Sequence, residues 1–127
     1  MLKNLSSLMV YTNDMSKAVA FYRDTLGFKI QMETPHWSQF DLGSGMILGL
    51  HPAMANTPRP AGGWQPSFQV DDVLAAKQSV VNAGAKVTGD LHDIPGGVVL
   101  TFADPDGNEL TVQQNGVTCA QLGVMSV

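Results

Sequence analysis

The chain has a single cysteine, Cys119, so no disulfide can close within it, and it has no apolar run long enough to span a bilayer. Nor does its N-terminus carry the apolar core of a secretory signal. These absences predict a cytoplasmic protein with no membrane partner. Positive charge is scarce: Lys and Arg total 7 against 11 Asp and Glu, for a net charge of −4. No basic surface is left for a phosphate backbone, which excludes nucleic acid as a partner and means that an acidic ligand would need a local positive site. Histidine occurs 3 times, as His36, His51 and His92. A Gly-rich phosphate loop, a Ser-His-Asp order and a Cys-His pairing are all missing. At 127 residues the chain suffices for one ordinary core and is too short for two independent domains.

What is present is alternation and punctuation. Residues 5–12 (LSSLMVYT) read as a strand with Leu8 and Val10 on one face and Ser7, Met9 and Tyr11 on the other. Asp14 is a suitable helix N-cap and Gly27 a suitable stop. Between them Met15, Ala18, Tyr22 and Leu26 recur at three- and four-residue spacing, which predicts a helix with one buried stripe. Strands follow at 28–34, 37–42 and 46–51, broken by Pro35 and by Gly43-Ser44-Gly45. Residues 52–63 (PAMANTPRPAGG) are rich in proline and glycine and read as a linker. The pattern then restarts with a strand at 65–70 and a helix capped by Asp71 or Asp72, which carries Val73, Ala76 and Val80 and stops at Gly84. Strands at 85–90, 98–103 and 109–113 complete it.

Laid together, Asp14 falls on Asp72, Met15 on Val73 and Tyr22 on Val80. After a one-residue gap, Gly27 falls on Gly84 and Lys29 on Lys86. This is a weak internal repeat of about sixty residues. The tail at 115–127 has no clear period and is expected either to be disordered or to dock on a partner subunit, with Cys119 a plain structural or exposed thiol.

Residues 101–114 (TFADPDGNELTVQQ) alternate on both sides of a tight Asp-Pro-Asp-Gly turn and read as a hairpin. Together with residues 15–30 (MSKAVAFYRDTLGFKI), a helix ending in Leu-Gly-Phe and entering a strand, this stretch resembles the vicinal-oxygen-chelate superfamily. That superfamily includes glyoxalase I, extradiol dioxygenases, fosfomycin-resistance enzymes and bleomycin-resistance proteins. The resemblance covers residues 5–114 and implies an α+β fold of two paired β-α-β-β-β modules, forming a curved, cup-like mixed sheet with the helices outside. On this reading residues 1–127 are a single domain, with module one at 5–51, a linker at 52–63, module two at 64–114 and a tail at 115–127. A homodimer is implied as well, since members commonly dimerise.

In the metal-dependent members, His, Glu or Gln ligands come from the first and fourth strands of each module and suit ions such as Zn²⁺, Ni²⁺, Mn²⁺ or Fe²⁺. The resemblance puts those positions on Ser7, Gly49, Gln65 and Thr111. Hydroxyls and an amide are poor ligands beside imidazole and carboxylate, and glycine offers nothing, so neither a metal nor another cofactor is expected. The alternative is a displaced set of His51, Glu109 and Gln65. Strand alternation puts His51 with Gly49, and Glu109 and Gln113 with Thr111. Against that set, His51 abuts Pro52 at a strand end and Glu109 follows a turn, where side chains are ordinarily solvated. His36 and His92 read as loop histidines.

Alternation also sends Trp37 and Gln39 inward and leaves Phe40 and Leu42 beneath the helix, while Trp64 sits at the end of the linker. An aromatic wall with scattered amides and hydroxyls is the usual make-up of a small-molecule pocket. The contacts expected for a small-molecule ligand are Ser7, Met9, Tyr11, Trp37, Gln39, Gly49, His51, Trp64, Gln65, Ser67 and Thr111. The competing reading is that the tryptophans only plug an open end. Two functions follow. One is a protein like the bleomycin-resistance branch, holding a small aromatic or apolar molecule in a metal-free cleft. The other is a glyoxalase-type lyase or isomerase, or a dioxygenase-like enzyme, acting on a small oxygenated substrate through a displaced metal or a single acid or base drawn from Glu109, His51 and Tyr11. The first is favoured because resemblance of fold does not by itself license an activity.

Overall fold

Two aspartates open the two long helices in the same way. Asp14 (φ −146°, ψ 98°) and Asp72 (φ −143°, ψ 98°) are both extended, and each carboxylate accepts from the N–H three residues on, Lys17 at 3.1 Å and Ala75 at 3.0 Å. The helices they cap are α1 (Met15–Ala20) and α2 (Val73–Asn82). They belong to two units of the chain, Met1–Arg59 and Pro60–Val127. The computed structural model describes residues 5–53 and 65–127, so Trp64 lies outside the described residues.

The first unit's sheet consists of β1 (Ser7–Thr12), β2 (Lys29–Glu33), β3 (Ser38–Gly43) and β4 (Met46–Pro52), in the order β1-β4-β3-β2. The outer strand β1 runs parallel to β4, and the other pairs are antiparallel. The second unit repeats this plan with β5 (Ser67–Gln69), β6 (Val87–Ile94), β7 (Gly97–Ala103) and β8 (Glu109–Asn115). Its order is β5-β8-β7-β6, with β5 parallel to β8. Each unit is therefore a β-α-β-β-β module with a mixed four-stranded sheet, and the fold class is α+β. Among the described residues no helix is long and apolar enough to cross a membrane.

Each helix buries its apolar stripe on its own sheet. In the first unit Ala18, Val19, Phe21 and Tyr22 are buried, as are Phe40, Leu48 and Leu50 of the sheet. The Tyr22 ring stacks on Phe28 with centroids 6.0 Å apart and tilts against Phe40 at 6.0 Å. In the second, Val73 and Val80 are buried over Val98, Leu100, Phe102, Leu110 and Val112. Each large apolar side chain so covered contributes about 1.5–3 kcal/mol, enough for these rows to fix which face of each sheet turns to the helix.

The one-residue gap in the repeat has a local cause. Beyond α1 the helix widens into a π turn, Phe21–Thr25, in which Leu26 N–H donates to Phe21 O across five residues at 3.0 Å. The bond that closes each helix runs from Phe28 N–H to Tyr22 O (3.0 Å) in one unit and from Ala85 N–H to Val80 O (2.9 Å) in the other, the first spanning one residue more. The wide turn absorbs that residue, and both helices then end at a left-handed glycine, Gly27 (φ +77°) and Gly84 (φ +79°).

Two expectations are corrected. His92 is not in a loop: β6 runs on to Ile94, and the irregular register between Val87, Gly89 and His92 breaks the alternation that would have revealed it. The tail is neither disordered nor free. Thr118 and Gln121 form a capping box that starts a short helix, α3 (Cys119–Leu122), whose Cys119 N–H donates to Asp93 Oδ1 at 2.7 Å. Asp93 N–H in turn donates to Ser126 Oγ at 2.9 Å, and Val127 N–H to Leu91 O at 3.1 Å. The tail thus lies along the outer strand β6 of its own unit, satisfying edge groups there, and Cys119 is buried.

Candidate functional site

On the first sheet the face opposite the helix is set by register. Ser7, Met9 and Tyr11 of β1 stand beside Ile47, Gly49 and His51 of β4, and Gln39 of β3 stands opposite Gly49. The alternate row (Leu8, Leu48, Phe40) faces the helix. Trp37 precedes β3 in the turn Thr34-Pro35-His36-Trp37, and Thr34 latches it on both sides. The Thr34 hydroxyl donates to Trp37 O at 2.7 Å and accepts from Trp37 N–H at 2.9 Å, while Thr34 N–H donates to Trp37 O at 3.1 Å. Proline at the second position of the turn presets its backbone.

From that anchor the indole lies across Gly49. A Cβ built on Gly49 would collide with Cη2 and Cζ2 of Trp37, so glycine is what allows the ring to sit on the strand. The indole N–H donates to Gln39 Oε1 at 2.8 Å, and Gln39 Nε2 donates to Gln31 Oε1 at 3.0 Å. Because an indole N–H only donates, both amides are oriented in turn, and Gln31 keeps its NH₂ outward. His51 meets Tyr11 edge-on at 5.8 Å and Trp37 at 6.4 Å. Its Nδ1 lies 2.8 Å from Pro52 O, which can only accept, so Nδ1 holds the proton and, in the neutral ring, Nε2 is the acceptor. Met9, Tyr11, Trp37, Gln39, Gly49 and His51 thus share one surface, with Ser7 exposed at its far end.

In the second unit the face opposite α2 carries hydroxyls at its middle, between Val99 and Ala103 of β7. Ser67, Thr111 and Thr101 form one cross-strand row. The Thr111 hydroxyl donates to Gln65 Oε1 at 3.1 Å, Gln65 Nε2 donates to Glu109 Oε2 at 3.1 Å, and Thr101 Oγ1 lies 3.1 Å from Thr111 Oγ1. Ser67 is exposed and Thr111 buried.

At the four positions that the resemblance assigns to metal ligands, the residues do not suit a divalent ion. The volume beside Gly49 is filled by the indole, the Thr111 hydroxyl and both ends of the Gln65 amide are engaged, and Ser7 offers a neutral hydroxyl. Among the described residues no three or more His, Cys, Asp or Glu side chains gather to hold an ion. Of the displaced set, Gln65 and Glu109 are brought together in the second unit, whereas His51 belongs to the first, beside Tyr11 and Trp37.

Three residues of these surfaces escape sequence reading. Thr34 is legible as a Thr-Pro turn three residues ahead of Trp37. Thr101 alternates with the buried Leu100 and Phe102 and is recoverable by parity. Gln31 sits at a register shift between Ile30 and Met32, where counting by twos fails.

Proteins of known structure share this architecture. The solved structure of TnmS3, an antibiotic binding protein from Streptomyces, is similar over 91% of this chain and 98% of that chain, with 27% identity and a TM-score of 0.73. A lactoylglutathione lyase from Agrobacterium tumefaciens is similar over 90% of this chain and 95% of its own, with 26% identity and a TM-score of 0.67. A glyoxalase/dioxygenase from Nostoc punctiforme shares the fold over 91% of this chain and 92% of its own, at 18% identity and a TM-score of 0.75. No curated protein matches the sequence. The family model of the Glyoxalase/Bleomycin resistance protein/Dioxygenase superfamily matches residues 4–112, and the chain belongs to that superfamily.

Proposed function

We propose that this protein binds and sequesters a small planar or aromatic molecule without using a metal. The observation that carries the reading is the placement of Trp37: its backbone is latched by Thr34, its N–H is held by Gln39, and its ring rests on a strand that has no side chain at Gly49. A ring fixed through its backbone, at its N–H and against Gly49 is a preorganised stacking surface, and a ligand meeting it loses little free energy to ordering the protein. Met9, Tyr11, Gln39 and His51 flank the ring, and the outward amide of Gln31 supplies N–H donors for a carbonyl. Similarity to a protein described as antibiotic-binding supports a small-molecule ligand. We place the protein in the cytoplasm as a homodimer, and light scattering that finds only monomer would remove the second point.

One observation favours catalysis instead. His51 has a fixed tautomer, with Nε2 as acceptor, beside the Tyr11 ring. A single acid or base acting as in a lyase would need that nitrogen, and His51→Ala would then abolish turnover while leaving ligand affinity largely intact.

The test of the binding reading is Trp37→Ala, titrated calorimetrically with 2-naphthol as a planar probe. The variant should remain folded and lose about 2 kcal/mol or more in affinity, roughly thirtyfold. A variant that unfolds without ligand would make Trp37 core packing, and one that binds as well as the native chain would remove the platform.

A further inference from the structure

The hydrogen bonds beside Trp37 run in one direction, and they start at the ring. An indole N–H only donates, so the Gln39 amide must present Oε1 to it, 2.8 Å away. That turns Gln39 Nε2 toward Gln31, whose Oε1 accepts it at 3.0 Å. This is the one hydrogen bond of the Gln31 amide among the described residues, and it leaves the NH₂ group turned away from Gln39. The order Trp37, Gln39, Gln31 is therefore fixed from its indole end. Reversing either amide would set two donors or two acceptors against each other.

A bulge in the outer strand β2 brings that amide to the ring's side of the sheet. Ile30 pairs with Phe40, which faces the helix, and Met32 pairs with Gln39, so Gln31 is an extra residue between two paired ones. Its side chain joins Gln39 where regular pairing would place Met32 alone. Gln31 is exposed and open to a ligand, whereas Gln39 is half-buried and held at both ends. An exposed amide on a flexible side chain ordinarily takes either orientation; here the indole selects one.

We propose that Gln31 is a specificity-determining residue: the molecule stacked on Trp37 carries a carbonyl or similar acceptor on its edge along the indole N–H side, and Gln31 selects for it. An apolar group at that point displaces water from the Gln31 donors without replacing its hydrogen bonds, and a group that only donates meets them head-on. The inference rests on the binding reading above and adds the ligand's hydrogen-bond polarity to it. Trp37, Gln39 and Gln31 all belong to the first unit. Gln39 is a positioning residue here, because it carries the direction of the indole N–H to Gln31. A site whose donors are set beforehand discriminates more sharply than one that only measures size.

The experiment compares 2-acetylnaphthalene with 2-isopropenylnaphthalene, which keeps the ring and the branched shape and lacks the oxygen, by equilibrium dialysis. The native chain should prefer the ketone by about fivefold or more, the worth of one neutral hydrogen bond. Gln31→Met keeps the length of the side chain and removes the amide, so the ratio of affinities should fall to one or below while the melting temperature holds. Gln39→Glu tests the direction with Gln31 left in place. A carboxylate only accepts, so it still receives the indole N–H but draws Gln31 Nε2 toward itself and leaves Gln31 Oε1 outward. The preference for the ketone should then vanish, and affinity for 2-naphthol, which brings a donor, should rise relative to the ketone. A merely structural role for either glutamine would weaken all the probes together and leave their ratios unchanged. A native chain that does not prefer the ketone, or an undiminished ratio in either variant, would overturn this proposal alone. Failure of both naphthalenes to bind the native chain at all would overturn the binding reading with it. If Gln39→Glu does not fold, Gln31→Met still decides the matter.

Discussion

The indole of Trp37 occupies the space that a side chain on residue 49 would need. The two positions are therefore coupled, and Gly49→Ala should cost about 1–3 kcal/mol of stability, the usual range for forcing an added group into a filled space. In a Trp37→Ala background the same substitution should cost close to nothing, because the ring is no longer there to be displaced. Chemical denaturation of the four proteins in that double-mutant cycle measures the coupling directly. Additive costs would mean that the ring does not rest on Gly49.

The same relationship bears on metals. Placing a ligand side chain at residue 49 would require moving Trp37, and the hydroxyls of Ser7 and Thr111 are weak donors for a divalent ion. A scan of melting temperature with Ni²⁺, Zn²⁺ and Mn²⁺ should show no saturable rise, since an ion that binds only the native state must raise it by mass action. A rise with one ion that His51→Ala abolishes would move the preference from sequestration to catalysis.

How much of this was legible beforehand follows from the range of the interactions involved. Aspartate caps, glycine stops and the Pro35 break act within a few residues, so the order of elements and the repeated module could be read directly. The shared row of Met9, Tyr11, Gln39 and His51 opposite the helix follows from the period of two along a strand. Where a bulge interrupts that period the reading fails, as at Gln31 and at His92. The π turn was visible only as a gap in the repeat, because its cause is one residue too many between two fixed ends. The direction of the Trp37 ring depends on a rotamer and on an empty Gly49, and parity carries neither. The docking of the tail rests on Asp93 and Leu91, more than twenty residues away, and four helical residues have no period to announce them.

Acid should loosen the attachment of α2 to β6. Lys77 Nζ donates to Asp90 Oδ1 at 2.8 Å and Leu91 N–H to the same oxygen at 2.7 Å, and these bonds, the lysine's first, hold the Asp90 carboxyl below its ordinary range. A carboxyl depressed in the folded state stabilises it above the unfolded value, near 3.9, and that contribution is lost as pH falls through the lower folded value. The side chains of the pair are 34% and 46% exposed, so solvent screening limits the effect to about 0.2–1 kcal/mol. Asp90→Asn should flatten the stability profile between about pH 5 and pH 2 by that amount. High salt should shrink the difference, and an unchanged acid limb would show that the pair contributes nothing.

The tail offers a reporter of its own docking in Cys119. Burial first, and then the charge of Asp93, pushes the Cys119 thiol above its ordinary range, so at neutral pH it is a protonated sulfur without access to solvent. A disulfide reagent should therefore label it only through opening of the α3 segment, much more slowly than it labels the unfolded chain. Ser126→Ala removes the hydroxyl that accepts from Asp93 N–H, a bond worth about 1 kcal/mol. When opening and closing are fast relative to labelling, that loss appears as a rise of roughly fivefold in the labelling rate. The melting temperature should move little, because the tail opens locally while the two helix-covered cores stay closed. Labelling of the native chain as fast as the unfolded one would mean that α3 does not stay on β6. An unchanged rate in Ser126→Ala would mean that the Cys119 and Val127 contacts hold the tail without the serine.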